Sequence, residues 1–228
     1  MLSDLFMQLW EQGVILTGIW ETLYMTLLST AIAYVLGLPL GILLSVTDNG
    51  GIYPIPWLNK LLGVLVNIFR SIPFIILLVA LLPVAKLIVG TSLGNKAMVV
   101  MLVIAAAPYI ARMVESSIKE VKHGVIEAAQ AMGTPTFKII TKVLIPETKP
   151  SLITGAVICT VTILGYSAMA ATIAGGGLGA IAISWGYQRQ KSDIIWVCMI
   201  LTVIIVQLIQ FAGSAIARKT DHRIHKHE

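Results

Sequence analysis

Charge is what this sequence has least of: only 12% of its 228 residues are Asp, Glu, Lys or Arg, against 57% hydrophobic residues and a mean hydropathy of +0.89. That balance excludes an ordinary soluble globular domain and places the chain among integral membrane proteins. There are two cysteines, Cys159 and Cys198, both inside apolar runs. They exclude a disulfide framework, have too few further ligands near them for a zinc site, and read as packing thiols. The N-terminal stretch to Gly18 carries Asp4 and Glu11 but no basic residue. It therefore lacks the positive start of a cleavable signal and reads as a retained segment, an interfacial helix through Leu5, Leu9 and Trp10.

Histidine is missing from every apolar run: His123, His222, His225 and His227 fall in a loop or in the tail. Ser167, in Gly165-Tyr166-Ser167-Ala168, thus has no intramembrane base to activate it, and no catalytic constellation is expected. The tail histidines read as a polar end and not as a metal site, so no metal is expected in this chain. No phosphate-binding GxxxxGK[ST] pattern occurs, and the glycines from Gly175 to Gly179 come after a membrane helix instead of a strand. The chain should bind no nucleotide and no other cofactor itself; if it moves solute actively, the energy comes from elsewhere.

What is present is a series of apolar runs. One covers about 22–46, with Gly37, Pro39 and Gly41 placed to bend it or admit a neighbour. The next admits two readings. A single span over about 61–82 buries Arg70 near its middle; alternatively, residues 57–70 lie at the interface and the span begins after Pro73. The first is taken as the expectation, with Arg70 facing a cavity, a partner or the inner headgroups. Further spans are expected at about 97–118, with Pro108 as a kink and Arg112 and Glu115 at helical spacing, at 152–173, and at 194–217. The sequence Ala174 to Gly179, AGGGLG, ends the fourth span and separates it from a glycine-rich segment. Glu115 is the only acidic residue expected near a span centre or end, which leaves no proton relay.

Five spans put the ends on opposite sides. Basic residues collect in the segments that share a side with the C-terminus: Lys60; Arg112, Lys119, Lys122, Lys138, Lys142 and Lys149; and the tail from Arg218. The other side holds only Lys86, Lys96, Arg189 and Lys191. The positive-inside rule then places the N-terminus outside and the loop 119–150 in the cytoplasm. The net charge of +5 is mostly a topology signal, and no nucleic-acid partner is implied.

Within that loop, Gly124 to Pro146 reads GVIEAAQAMGTPTFKIITKVLIP. A helix is expected over Val125–Met132, ended by Gly133 as a left-handed residue, with Thr134 as N-cap and Pro135 opening a second short helix that ends near Pro146. Glu127-Ala128-Ala129, Gly133 after a gap of three residues, then Val143, Ile145 and Pro146 match at every spacing the EAA signature of ABC importer permeases, and the chain resembles that family. The likeness covers nearly the whole chain. It is nearest to the methionine-importing branch through Arg70-Ser71-Ile72-Pro73-Phe74, Ala111-Arg112-Met113-Val114-Glu115, Gly165-Tyr166-Ser167-Ala168-Met169 and Gly176-Gly177-Leu178-Gly179.

The resemblance implies an all-α type I importer permease of the bacterial cytoplasmic (inner) membrane, a single domain of about five spans, forming a homodimer. Its partners would be a dimer of ATP-binding cassette ATPases, which bind ATP and Mg, and an extracytoplasmic substrate-binding lipoprotein. Glu127, Ala128, Ala129, Gly133 and Pro146 would couple to the ATPase. Tyr166, Ser167 and Met169, with Arg70, would line the pathway of an alternating-access importer for D- and L-methionine or a related amino acid. Arg189 and Lys191 make one outer loop more basic than the resemblance implies. The alternative class is an ATPase-independent channel or secondary carrier.

Overall fold

A computed structural model describes residues 4–220 of the chain, with side chains from residue 7 onward. The tail residues His222, His225 and His227, expected to form a polar end, lie outside the described residues. Among the described residues every regular element is a helix: α1 (Asp4–Glu11), α2 (Val14–Val46), α3 (Pro56–Ser71), α4 (Phe74–Ala80), α5 (Leu82–Val89), α6 (Gly94–Lys119), α7 (His123–Ala131), α8 (Thr136–Ile173), α9 (Leu178–Tyr187) and α10 (Ser192–Thr220). Helices α2, α6, α8 and α10 are each long and apolar enough to cross a membrane, and α3 with α4 makes a fifth if that broken pair counts as one span. The 33 residues of α2 reach about 50 Å at 1.5 Å per residue, well beyond a bilayer core of about 30 Å.

The chain divides into two compact units. One comprises residues through Ile32, Pro73–Ala105 and Thr160–Gln210. Its core gathers Leu9, Ile15, Leu164, Ile181, Ile194 and Cys198 from α1, α2, α8, α9 and α10. Leu9, expected at the membrane surface, is instead buried here, while Trp10 on the next position is exposed.

The other unit comprises Ala33–Ile72, Ala106–Cys159 and the chain from Phe211 onward. Here the glycines of α2 admit a neighbour: a Cβ on Gly37 would lie 2.7 Å from the Ile110 side chain and 2.9 Å from the Ala107 carbonyl oxygen, and one on Gly41 would collide with the Ala111 carbonyl. Without side chains at these two positions the backbones of α2 and α6 meet closely, as small residues allow between membrane helices. Leu44, Val66 and Ala111 then close a small core between α2, α3 and α6. The Tyr34 hydroxyl donates to the Leu152 carbonyl oxygen at 2.7 Å, and Ser117 and Ser151 share a hydrogen bond of 2.9 Å, so α8 is tied to both α2 and α6.

Three expectations change. The run 61–82 is not one helix: α3 stops at Ser71, Ile72 is extended at φ −84° and ψ 125°, and α4 starts after Pro73. A residue before proline is driven out of the helical region, which is the reason for the break. Arg70 therefore stands exposed in the last turn of a helix instead of in mid-span. The second helix of the loop does not end at Pro146, because α8 runs on to Ile173. A π-helical stretch at Ile140–Leu144, closed by the Ile145 N–H to the Ile140 carbonyl, widens the helix just before the proline and admits its ring. Finally, α8 begins at Thr136 with Pro135 in the capping position, one residue later than expected.

Gly41→Val is expected to cost about 1–3 kcal/mol through overpacking at the α2–α6 contact. Thermal unfolding of the detergent-purified protein would measure it, with Gly50→Ala, where an added Cβ meets nothing within 4 Å, expected to change nothing.

Candidate coupling site and pathway

Helix α7 ends in a Schellman motif. The Thr134 N–H donates to the Ala129 carbonyl at 3.1 Å, the Gly133 N–H donates to that of Gln130 at 2.9 Å, and Gly133 has the left-handed φ of +71° that this closure needs. The carbonyls that a helix end leaves orphaned are thus satisfied, and the corner is defined by backbone bonds.

The corner sorts the signature residues. Glu127 and Ala128 are exposed, and Glu127 Oε1 lies 3.4 Å from His123 Nε2, one turn back. Ala129 is buried, so its methyl faces the chain's own interior. Met132 and Phe137, 77% and 74% exposed, flank the glycine and were not singled out from the sequence. Their signal was available: two large apolar residues beside a turn that a membrane topology places in water. Pro146 lies farther along α8, beyond the π-helical stretch, and is exposed.

Beneath α7 is a cavity of about 300 Å³ lined by Asp48, Gly51, Lys119, His123, Ile126 and Gln130 among others. One wall belongs to a ladder of alternating charges. Lys119 Nζ reaches Asp48 Oδ2 at 2.8 Å and Glu115 Oε1 at 2.9 Å, and Arg112 Nη1 reaches Glu115 Oε2 at 2.6 Å. The Arg112 Nη2 also donates to Asn67 Oδ1 at 3.0 Å and to the Gly63 carbonyl at 3.2 Å. The buried Glu115 carboxylate is thereby paired from both sides, as a buried charge must be. The ladder joins the end of α6, which leads into α7, to α3 and to the loop after α2. A hydrogen bond from Lys119 holds the Asp48 carboxyl below the usual aspartate range.

The proposed pathway residues of α8 fall in the first unit. Tyr166 stacks on Phe74 with ring centroids 4.6 Å apart and planes 9° from parallel. Ser167 is buried, its hydroxyl donating to the Leu164 carbonyl at 2.7 Å, and Met169 is half-buried in the tightened last turn, Ala168–Ile173. Arg70 belongs to the other unit. The sequence reading also missed Glu21. Because α2 begins at Val14 instead of near 22, this carboxylate sits within the helix, bonded to Asn95 and to the glycine-rich turn. Between α9 and α10, the Arg189 guanidinium lies 3.8 Å over the Trp185 ring.

The described residues thus combine helices of membrane-crossing length with a short, exposed helix closed at a backbone-bonded corner. Residues 37–226 match the family described as the binding-protein-dependent transport system inner membrane component, and the chain belongs to it. It is accordingly a multi-pass protein of the bacterial inner membrane. A probable D-methionine transport system permease protein of Vibrio cholerae, MetI, is 46% identical over 213 residues, 93% of this chain and 95% of that protein. The methionine import system permease protein MetP of Bacillus subtilis is 45% identical, across 92% of this chain and 97% of its own length. A solved chain of the MetNI methionine ABC transporter in an inward-facing conformation superposes with a TM-score of 0.91 at 44% identity, covering 96% of this chain and all of that one. An amino acid ABC transporter shares the fold at 19% identity and a TM-score of 0.77.

Glu115→Ala, which strips Arg112 and Lys119 of a shared carboxylate, is expected to cost about 1.5–3 kcal/mol in thermal unfolding. The Asp48 carboxylate has its pKa lowered from the ordinary 3.8, so its contribution is complete above that value and disappears as pH falls below it through the native value. The stability difference between wild type and Asp48→Asn should therefore be present at neutral pH and shrink along that acid limb.

Proposed function

We propose that this chain is the transmembrane subunit of an ATP-driven importer of methionine, in D and L forms, or of a related amino acid. It works as a homodimer with two ATPase subunits that bind ATP and Mg, and with a substrate-binding lipoprotein outside. The N-terminus lies outside and the loop 119–150 in the cytoplasm, a reading supported by the basic residues gathered on that loop and tail. The observation that carries the proposal is the α7 corner. Exposed Glu127, Ala128, Met132 and Phe137 stand on a backbone closed by a Schellman motif, which transmits a push without collapsing. Each copy supplies one such plug, and a two-fold ATPase dimer offers two clefts. The names and structure of the relatives support methionine as the cargo.

In this reading, ATP closes the ATPase dimer, the two α7 corners move together, and the spans rock between outward and inward openings. Glu127 gives the plug an anionic contact for a cationic side chain of the ATPase. Glu127, Ala128, Ala129, Gly133 and Pro146 form and support the coupling element; Tyr166, Ser167 and Met169, with Arg70, border the route.

Gly133→Pro cannot adopt the observed φ of +71°, and Glu127→Lys reverses the plug's charge. Either is expected to abolish ATP-coupled methionine uptake in proteoliposomes while the protein still inserts and purifies. Uptake at wild-type rates in both variants would remove the coupling role, and uptake in liposomes lacking any ATPase would favour a channel or secondary carrier.

A further inference from the structure

Between α8 and α9 the chain leaves the helical conformation with Ala174 at φ 53° and Gly177 at φ 99°. The last turn of α8 is closed by the Gly175 N–H donating to the Ala170 carbonyl at 2.8 Å. The next three amides find no carbonyl. Each is taken by a side chain from elsewhere in the same unit: Gly176 N–H donates to Asn95 Oδ1 at 2.7 Å, Gly177 N–H to Glu21 Oε2 at 2.8 Å, and Leu178 N–H to Thr22 Oγ1 at 2.9 Å. Asn95 Nδ2 in turn donates to Glu21 Oε1 at 2.9 Å. A Cβ on Gly176 would collide with the Glu21 carboxylate, so the backbone approaches it as only glycine permits.

The pattern of donors leaves no freedom. Asn95 must turn its oxygen to the Gly176 N–H and hence its NH₂ to residue 21, while residue 21 must also accept from the Gly177 N–H. A glutamate side chain offers an oxygen to each of the two donors, whereas a carboxamide at 21 could offer only one. We propose that Glu21 and Asn95 are positioning residues for transport: a carboxylate–amide clasp that holds the glycine turn and thereby fixes the end of α8 that carries Tyr166, Ser167 and Met169. This rests on the importer reading for its transport consequence, but the clasp itself does not.

The chemistry dictates an unusual mutant cycle. Glu21→Gln sets two NH₂ groups against each other, and Asn95→Asp sets two carboxylates against each other. Combined, the two substitutions exchange the roles: the new carboxylate at 95 accepts from the Gly176 N–H and from the new amide at 21, whose oxygen accepts from the Gly177 N–H. All three bonds and the net charge return.

The test uses the complete transporter complex, with two readouts. Hydrogen exchange of the peptide over 174–180 in the purified complex should be about tenfold faster in either single variant and return to within about threefold of wild type in the double. Uptake of radiolabelled L-methionine in proteoliposomes should fall about tenfold or more in the singles and recover in the double. Unchanged exchange in the singles, or a double variant no better than the worse single, overturns the clasp. Fast exchange with undiminished uptake overturns the positioning role. A wild type that takes up no methionine overturns the importer reading instead, and the exchange cycle then still decides the clasp.

Discussion

Hydrocarbon offers a backbone amide nothing to bond with, so every place where a membrane helix departs from its regular ladder must find partners within the protein. Three of the departures among the described residues meet the constraint in different ways. At Ile72–Pro73 the proline brings no N–H, and α4 restarts with the Pro73 carbonyl accepting from Ile76 and Leu77. At Ile140–Leu144, ahead of the apolar part of α8 and outside the stretch read as spanning, the ladder shifts to a wider turn without opening, so that Pro146 is absorbed. At Gly176–Leu178 the helix is abandoned and three side chains stand in for the missing carbonyls. The most polar of these solutions lies just past the residues proposed to border the pathway.

The second unit holds the α7 corner, the proposed coupling element, on a firmly packed support. The α7 corner is stiff because its terminal carbonyls are bonded. Immediately upstream, α6 is gripped by backbone approach at Gly37 and Gly41 and by the charge ladder from Asp48 to Arg112 and Asn67. Close packing is stiff rather than compliant, and the paired buried charge adds hydrogen bonds to it, which suits the proposed coupling role.

Much of this was legible in the chain's own residues. The run of helix formers before Gly133 and the AGGGLG break arise from local conformational preference, and both occur where the pattern places them. The EAA spacing led to the right family. Less legible were the turn at Pro73, where an apolar run outweighed the restriction that proline puts on Ile72, and Pro146, where a local stop signal was overridden by a wider turn. Ala129 was grouped with its exposed neighbours although helical periodicity turns it inward. Glu21 and Asn95 were missed because each, taken alone, is an ordinary polar residue at the border of an apolar run.

Membrane residence, the apolar character of the long runs, the position of the α7 corner and the family are all written into residue order. Those depend on composition and on interactions within a few residues, which any local reading samples. Folding in three dimensions settled which breaks interrupt a span, which face of α7 is outward, and that residues 21, 95 and 176–178 meet. That last meeting depends on donors and acceptors that are satisfied only when segments more than seventy positions apart come together, and no local pattern encodes the pairing.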